Sequence, residues 1–171
     1  MTLKKHGAVL VAVILVVAAP MALYSFESFD SYPSFSYEIG AGSGYSSVGG
    51  FYEINAALNT HLQAWLVWRN SGFFRGQTEA DDYFGVDTSL QAGSRVRAGE
   101  QAWLDYHGGA GYRFTSIGKH APFGEAGATY RAGGLRLGAN AKYILYELVG
   151  EDRDNEFVFS VSISGSTSGT F

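Results

Sequence analysis

The chain has 171 residues, of which 46% are hydrophobic and 16% are charged, and its formal net charge at neutral pH is −4. A chain of this length forms one domain, and the acidic balance excludes the clustered positive charge that nucleic-acid partners require. Because the sequence contains no cysteine, disulfides, thiolate chemistry and a lipid-bearing cysteine are excluded as well.

The amino terminus has the features of a secretory signal peptide. Residues 4–6 are basic, and the 16 residues that follow, 7–22, are uncharged and apolar. This run is shorter than the roughly 20 residues that a membrane-spanning helix needs. We therefore expect a signal peptide over residues 1–25, with cleavage after either Ala22 or Ser25. An uncleaved membrane anchor is the alternative.

Removal of the signal peptide takes away two lysines and no acidic residue, which leaves 10 basic and 16 acidic side chains. The mature chain then consists of an N-terminal extension, residues 26–34, and one domain, residues 35–171. The extension either caps one mouth of the domain or lacks fixed structure, and the sequence favours neither.

Eight segments of the domain alternate between apolar and polar residues. In the first segment Phe35, Tyr37 and Ile39 alternate with Ser36 and Glu38. This period of two is typical of a strand whose two faces meet different environments. In chain order the segments are 35–45, 52–59, 64–75, 84–92, 104–113, 125–131, 135–145 and 157–171.

The connections between these segments are of two kinds. Those after the second, fourth and sixth segments are short, whereas those after the third, fifth and seventh are longer and polar. Outer-membrane barrels combine short periplasmic turns with longer outer loops in this way. The first outer connection, 46–50, is short and departs from the pattern. Asn70 falls on the apolar face of its segment, which suggests a bulge there. The other connections are placed at 61–63, 76–82, 97–101, 116–122, 133–134 and 148–155.

The last segment alternates from Phe157 to the terminal Phe171, and segments 36–42, 109–114 and 122–130 combine alternation with many glycines. Together they resemble the small eight-stranded outer-membrane β-barrels of the OmpA, OmpX and OmpW kind. The resemblance implies an all-β fold, an antiparallel up-and-down transmembrane β-barrel, in the outer membrane of a Gram-negative cell envelope. It also implies that Phe171 is a C-terminal insertion signal.

Several partners follow from this resemblance. We expect outer-membrane lipid, lipopolysaccharide and the barrel-assembly machinery, which would bind the last strand, and a monomeric state. A soluble barrel with an apolar interior, as in lipocalins, shows the same alternation. Phe171, the signal peptide and the unequal connections favour the membrane barrel.

The polar face is expected to fill the barrel interior. Eight strands enclose a space that side chains or one small ligand can fill, and buried charges need partners there. The inward set contains five acids and four bases, which predicts a polar plug with His107 as a member. The predicted lumenal charge network is Glu38, Glu53, Arg69, Asp87, Asp105, His107, Arg113, Glu125, Arg136 and Lys142. The predicted membrane-interface aromatic residues are Tyr37, Tyr52, Trp68, Tyr106, Tyr112, Tyr130 and Tyr143.

The sequence favours a structural or surface-interaction role, and two other functions are alternatives. A narrow channel for small or hydrophobic solutes would need an inward apolar pocket, from residues such as Trp65, Val67, Phe73, Trp103 or Ile144. A lipid-modifying enzyme would need Ser89, His107 and an acid within hydrogen-bond reach, and no motif spacing supports this. Two acidic loops, at 79–82 and 151–156, lack calcium-loop spacing. We expect no catalytic residue, no metal site and no cofactor.

Overall fold

Eight antiparallel strands form a closed barrel in the computed structural model, which describes residues 35–47, 49–77, 80–132, 134–151 and 153–167. The strands are β1 (Phe35–Ser46), β2 (Gly49–Gln63), β3 (Leu66–Gln77), β4 (Tyr83–Arg97), β5 (Ala102–Thr115), β6 (Ala121–Ala132), β7 (Leu135–Ile144) and β8 (Glu156–Thr167). Each strand pairs with its neighbours in the chain, and β1 pairs with β8 to close the sheet. The predicted fold class is confirmed.

Several strands are longer than their alternating segments indicate. The predicted connection at His61–Gln63 lies within β2, Arg97 ends β4, and Pro122 lies within β6. These residues are bonded to neighbouring strands, so ladder pairing continues where side-chain alternation fades. The bulge expected at Asn70 is wrong, because its register with Leu58 is continuous; the irregularity falls between His61 and Gln63.

The two ends of the barrel differ in their connections. At one end, here called the turn end, β1 begins, β8 ends, and the connections are residues 64–65, 98–101 and 133–134. At the other, the loop end, the connections are 47–48, 78–82, 116–120 and 145–155. The inequality predicted from the sequence is therefore confirmed, with the first loop again the exception. The longest loop contains a 3₁₀ turn (Glu147–Val149), which Gly150 ends with a φ of 75°.

The outer face of the barrel is apolar. Ile39 and Ile163, which are paired on β1 and β8, are 63% and 62% exposed. Apolar rows of this kind line the exterior all round, so the soluble barrel with an apolar interior is not the structure formed. In the described residues no helix is long and apolar enough to span a bilayer.

The predicted interface aromatic residues all lie on this outer face. Tyr106 and Tyr112 are half-buried there, and Tyr112 packs against Phe114 with ring centroids 5.0 Å apart. The exposed ones are Tyr37, Tyr52, Trp68, Tyr130 and Tyr143. The insertion signal Phe171, the signal peptide and the extension 26–34 lie outside the described residues.

The barrel lumen as candidate functional site

A chain of charges with alternating sign crosses the loop half of the lumen. Glu53 on β2 accepts hydrogen bonds from Arg75 on β3 (2.6 Å, Nη2 to Oε2) and from Arg113 on β5 (2.8 Å, Nη1 to Oε2). Arg113 in turn donates two hydrogen bonds of 2.7 Å to Asp87 on β4. At this end of the chain of charges, Lys142 on β7 pairs with Asp87.

The chain continues from Arg75 towards the longest loop. Arg75 donates to Glu156 on β8 (2.5 Å, Nη1 to Oε2), and Glu156 also pairs with Arg153 at 2.6 Å. The sequence of charges is thus Arg153, Glu156, Arg75, Glu53, Arg113, Asp87 and Lys142. Each carboxylate lies between two cations, which offsets the several kcal/mol that burial of each ion costs.

The central side chains of this network are shielded from water. The side chains of Arg75 and Arg113 are both fully buried, and that of Glu156 is as well. Strands on all sides of the barrel contribute to the network, so it spans the lumen instead of lining one wall.

Aromatic rings hold the cations of the network in place. Arg75 lies over the ring of Phe51 (3.7 Å to the centroid) and Arg113 over the ring of Phe73 (3.9 Å). Lys142 lies over a third ring, that of Phe123, at 4.5 Å. Contacts of this kind are worth about 2 kcal/mol when desolvated.

Each of these three rings covers an inward glycine of a neighbouring strand. A Cβ atom on Gly44 would lie 2.3 Å from the ring of Phe51, and one on Gly111 would lie 2.6 Å from the ring of Phe123. A Cβ atom on Gly85 would likewise lie 2.6 Å from the ring of Phe73. Glycine at these positions therefore allows large rings to pack inside a narrow barrel.

Residues of the longest loop cover the network from the loop end. The guanidinium of Arg153 lies 5.0 Å from the ring centroid of Tyr146 and 5.3 Å from that of Tyr83. Both tyrosines are buried, and burial raises the pKa of the Tyr146 phenol. A second loop contact joins Lys119 to Glu151 at 3.0 Å.

The turn half of the lumen is organised differently, around two carboxylates that remain partly exposed. Arg69 donates to Glu38 at 3.1 Å. Asp105 pairs with Arg95 (2.6 Å, Nε to Oδ1) and with Arg131. The side chains of Arg95 and Asp105 are 17% and 20% exposed, so water reaches this cluster.

A cavity of about 100 Å³ lies in the turn half. Its wall contains apolar side chains as well as polar ones, among them both positive and negative charges. The charged and histidine side chains that line it are Glu38, His61, Asp105, His107, Arg131 and Arg136.

His107 belongs to a polar cluster between the two halves. Its imidazole is within hydrogen-bonding reach of Asn140 and close to Glu125, and a Cβ on Gly127 would lie 2.8 Å from its Nε2. Glu125 accepts from Asn140 at 3.0 Å, and Ser89 is another of its partners. In the described residues Ser89 and His107 each bond to other side chains, and no nucleophile–base pair forms between them.

The structure places all ten residues of the predicted charge network on the inner face. It divides them between the two halves, which the sequence does not indicate. The inner face also holds charges beyond the five acids and four bases that the sequence predicts there. Arg75 and Arg131 lie on inward positions of their predicted segments but are not in the predicted network. Arg153 and Glu156 fall in a predicted loop, and Arg95 lies between the fourth segment and the connection that follows it. The added members are Arg75, Arg95, Arg131, Arg153 and Glu156.

Of the five residues predicted for an inward apolar pocket, Trp65 and Val67 line the cavity of the turn half, and the other three do not join them there. Phe73 and Ile144 are buried in the loop half, whereas Trp65 and Trp103 are 48% and 39% exposed near the turn end. Glu156, considered as a loop ligand for a cation, points into the lumen between two arginines. In the part of the chain that the structure describes, no group of acids and histidines is arranged to hold a metal ion.

The apolar exterior, the polar interior and the closed sheet define the fold of a transmembrane β-barrel. No protein-family model matches the sequence, and no curated protein matches it. The chain is similar to a solved, de novo designed transmembrane β-barrel, with 12% identity and a TM-score of 0.57 over 80% of this chain and 98% of that one.

It is also similar to the outer membrane enzyme PagL, with 12% identity and a TM-score of 0.57 over 76% of this chain and 99% of PagL. A third similar structure, the designed barrel TMB2.3, has 11% identity and a TM-score of 0.52 over 83% of this chain and 100% of that one. At these identities the similarity shows the fold alone.

Proposed function

We propose that this chain is a monomeric integral protein of the bacterial outer membrane, with a closed lumen and a structural or surface-interaction role. The turn end faces the periplasm and the loop end faces the outside, as the lengths of the connections indicate. Lipid surrounds the apolar exterior, and lipopolysaccharide meets the loop end. The barrel-assembly machinery would act on the last strand.

One observation carries the proposal that the barrel does not conduct. The charge chain from Arg153 to Lys142 spans the loop half, and its central guanidiniums, on Arg75 and Arg113, are fully buried. A conducting pore needs a continuous water-filled path, and bound ions must leave it easily. Fixed, mutually paired side chains supply neither.

Single-channel recording in planar bilayers tests this proposal. The wild-type barrel should give no stable conductance steps, whereas R75S/R113S, which shortens the two central arginines, should give small steps. The matched control is R95S/R131S, which removes two arginines from the turn half and should stay closed. Altered gel mobility before and after boiling shows that each variant has folded. Stable steps from the wild-type protein would exclude a closed lumen.

The proposed role requires no catalysis, and we propose that the chain is not an enzyme. Ser89 and His107 face the lumen and bond to other side chains there, which gives a lipid substrate no access to them. A lipid A deacylation or acyl-transfer assay with the folded barrel tests this point. Turnover by the wild-type barrel that disappears in Ser89→Ala would show that the chain is an enzyme. A narrow channel is the second candidate, and only the cavity of the turn half favours it.

A further inference from the structure

The charged side chains in the wall of the turn-half cavity balance one another. They are two carboxylates, on Glu38 and Asp105, and two guanidiniums, on Arg131 and Arg136. Glu38 pairs with Arg69 at 3.1 Å, and Asp105 pairs with Arg131 and with a further arginine outside the wall. The formal charges of the wall therefore cancel. Such a wall favours an uncharged polar ligand, because an ion would lose its hydration without meeting a net opposite charge.

The uncharged polar groups of the wall can both donate and accept hydrogen bonds. Ser36, Thr129 and Ser164 supply hydroxyl groups, and Asn59 and Gln91 supply amides. The protein holds two of these groups in place: the Asn59 amide donates to Ser36 Oγ at 3.4 Å, and the Gln91 amide donates to a carboxylate at 2.9 Å. A ligand hydroxyl group also donates and accepts, whereas a carboxylate only accepts and an ammonium only donates. The wall therefore suits a ligand with several hydroxyl groups.

One part of the wall is apolar. Trp65 and Val67 lie there, beside Ala64 in the connection between β2 and β3. The Gly93 backbone N–H donates to the Trp65 carbonyl oxygen at 2.8 Å, which fixes this connection against β4. Trp65 is 48% exposed, so it is accessible from the mouth of the barrel. An indole ring beside hydrogen-bonding groups is a surface on which the C–H face of a sugar ring can pack.

We propose that the cavity of the turn half binds one neutral sugar ring, with Trp65 against its face and the hydroxyl groups of Thr129 and Ser164 bonded to its own. The cavity volume of about 100 Å³ limits what enters it. This volume corresponds to about three waters at roughly 30 Å³ each, so an edge of one ring enters and the rest lies in the open mouth.

The site goes beyond the proposed structural role and does not depend on closure of the loop half. The source of its ligand rests on the proposed orientation, in which the turn end faces the periplasm. There the sugar is either a free monosaccharide or the end of a glycan chain. Both present the same chemistry to the cavity.

The test is tryptophan fluorescence of the barrel, folded in a detergent without a sugar headgroup. The chain has three tryptophans, and W68F/W103F keeps only Trp65. Titration with glucose or N-acetylglucosamine should change its emission saturably, with a Kd of about 1–10 mM, as expected for a small ligand with few contacts. The matched reporter is W65F/W103F, whose remaining Trp68 donates to Thr88 on the outer face and should not respond.

Thr129→Val removes one hydroxyl group of the wall and keeps the shape of the side chain. In the W68F/W103F background it should weaken binding about fivefold, since one hydrogen bond is lost. The matched control is Thr60→Val: Thr60 lies near the same end, but on the outer face, where it is the register partner of position 68. It should change the affinity less than about twofold. Gel mobility before and after boiling shows that each variant folds.

The trimer of N-acetylglucosamine, titrated in the same way, identifies the source of the ligand. Binding at least about tenfold tighter than that of the single sugar would indicate the end of a glycan chain. Equal binding would indicate a free sugar.

Three results would overturn the proposal. The first is no saturable response of Trp65 to any of these sugars, in which case Trp65 is an anchor at the membrane interface. The second is equal weakening by Thr129→Val and Thr60→Val. The third is a response to phosphate or acetate in place of the sugars, which would indicate an ion site. The fluorescence readout is independent of conductance, so failure of the closed lumen and failure of this site are separate results.

Discussion

The two halves of the lumen are built from the same residue types but use them differently. In the loop half, arginines and carboxylates alternate along one chain, and three phenylalanine rings lie beneath the cations. In the turn half, ion pairs such as Arg95–Asp105 remain partly exposed and surround a cavity.

The contrast shows that composition alone does not decide whether a barrel interior is filled. Closure depends on rings that occupy the space above inward glycines and on carboxylates that bridge two cations each. In the turn half Trp65 lies at the cavity wall and the Trp103 ring centroid is 5.8 Å from the Arg95 guanidinium, and a cavity remains. We therefore expect the loop half to contribute more to stability than the turn half, which contains a cavity.

The largest effect is expected from breaking the buried chain of charges. Arg113→Ala removes the shared partner of Glu53 and Asp87 and leaves buried carboxylates undercompensated. It should lower the free energy of unfolding by about 3–5 kcal/mol. Urea unfolding in lipid vesicles, followed by tryptophan fluorescence, measures this loss.

The matched change in the turn half is Arg95→Ala. Asp105 keeps Arg131 as a partner and water reaches the site, so the loss should stay below about 1 kcal/mol. Equal losses for the two variants would contradict the division of the lumen into a closed and an open half.

A smaller effect is expected from filling the space that glycine leaves for a ring. In Gly85→Ala the new Cβ would lie 2.3 Å from the backbone oxygen of Phe114 and 2.6 Å from the Phe73 ring. The backbone cannot yield easily, so unfolding should become easier by about 1–3 kcal/mol. The same urea titration measures it.

Gly72→Ala is the control for this substitution. Gly72 lies on the exposed outer face, and a Cβ there meets no atom within 4 Å. Its stability should stay the same or rise by less than about 1 kcal/mol, because alanine restricts the unfolded chain. If Gly72→Ala proved as harmful as Gly85→Ala, the ring contact would not explain the loss.

The smallest effect concerns the loops above the closed half. A hydrogen bond from Lys119 lowers the pKa of the Glu151 carboxyl. Because the folded pKa is the lower one, the stabilising contribution is present above the unfolded pKa and is lost as pH falls through the folded value. An NMR titration of the Glu151 carboxyl should show the lowered pKa, and Lys119→Met should return it towards its ordinary value. An unchanged titration in Lys119→Met would show that Lys119 is not the cause.

The sequence was sufficient for the strands and for the two faces of the wall, because side-chain alternation is a local property of the backbone. It did not predict which charged side chains pair with each other inside the barrel. Arg75 and Glu156 are 81 positions apart, and their meeting depends on register around the barrel. The many charges of residues 151–156 predict a loop that includes Glu156, whereas β8 begins at that residue.

The same limit applies to the glycines. Their abundance indicated close packing, but only the register shows that Gly85 lies beneath Phe73 on the neighbouring strand. The cavity could not be predicted from the sequence either, because it depends on which inward side chains leave space and not on their polarity.

The position of Glu156 on the final strand has a consequence for how the barrel assembles. Before β8 joins the sheet, the Arg75 guanidinium lacks one of its two carboxylates, because Glu156 lies on that strand. A sheet of seven strands would thus carry surplus positive charge at its centre, in a place that lipid or trapped water solvates poorly. Closure of the barrel by β8 neutralises this charge. Electrostatics therefore disfavour the seven-stranded intermediate and favour the last step of folding.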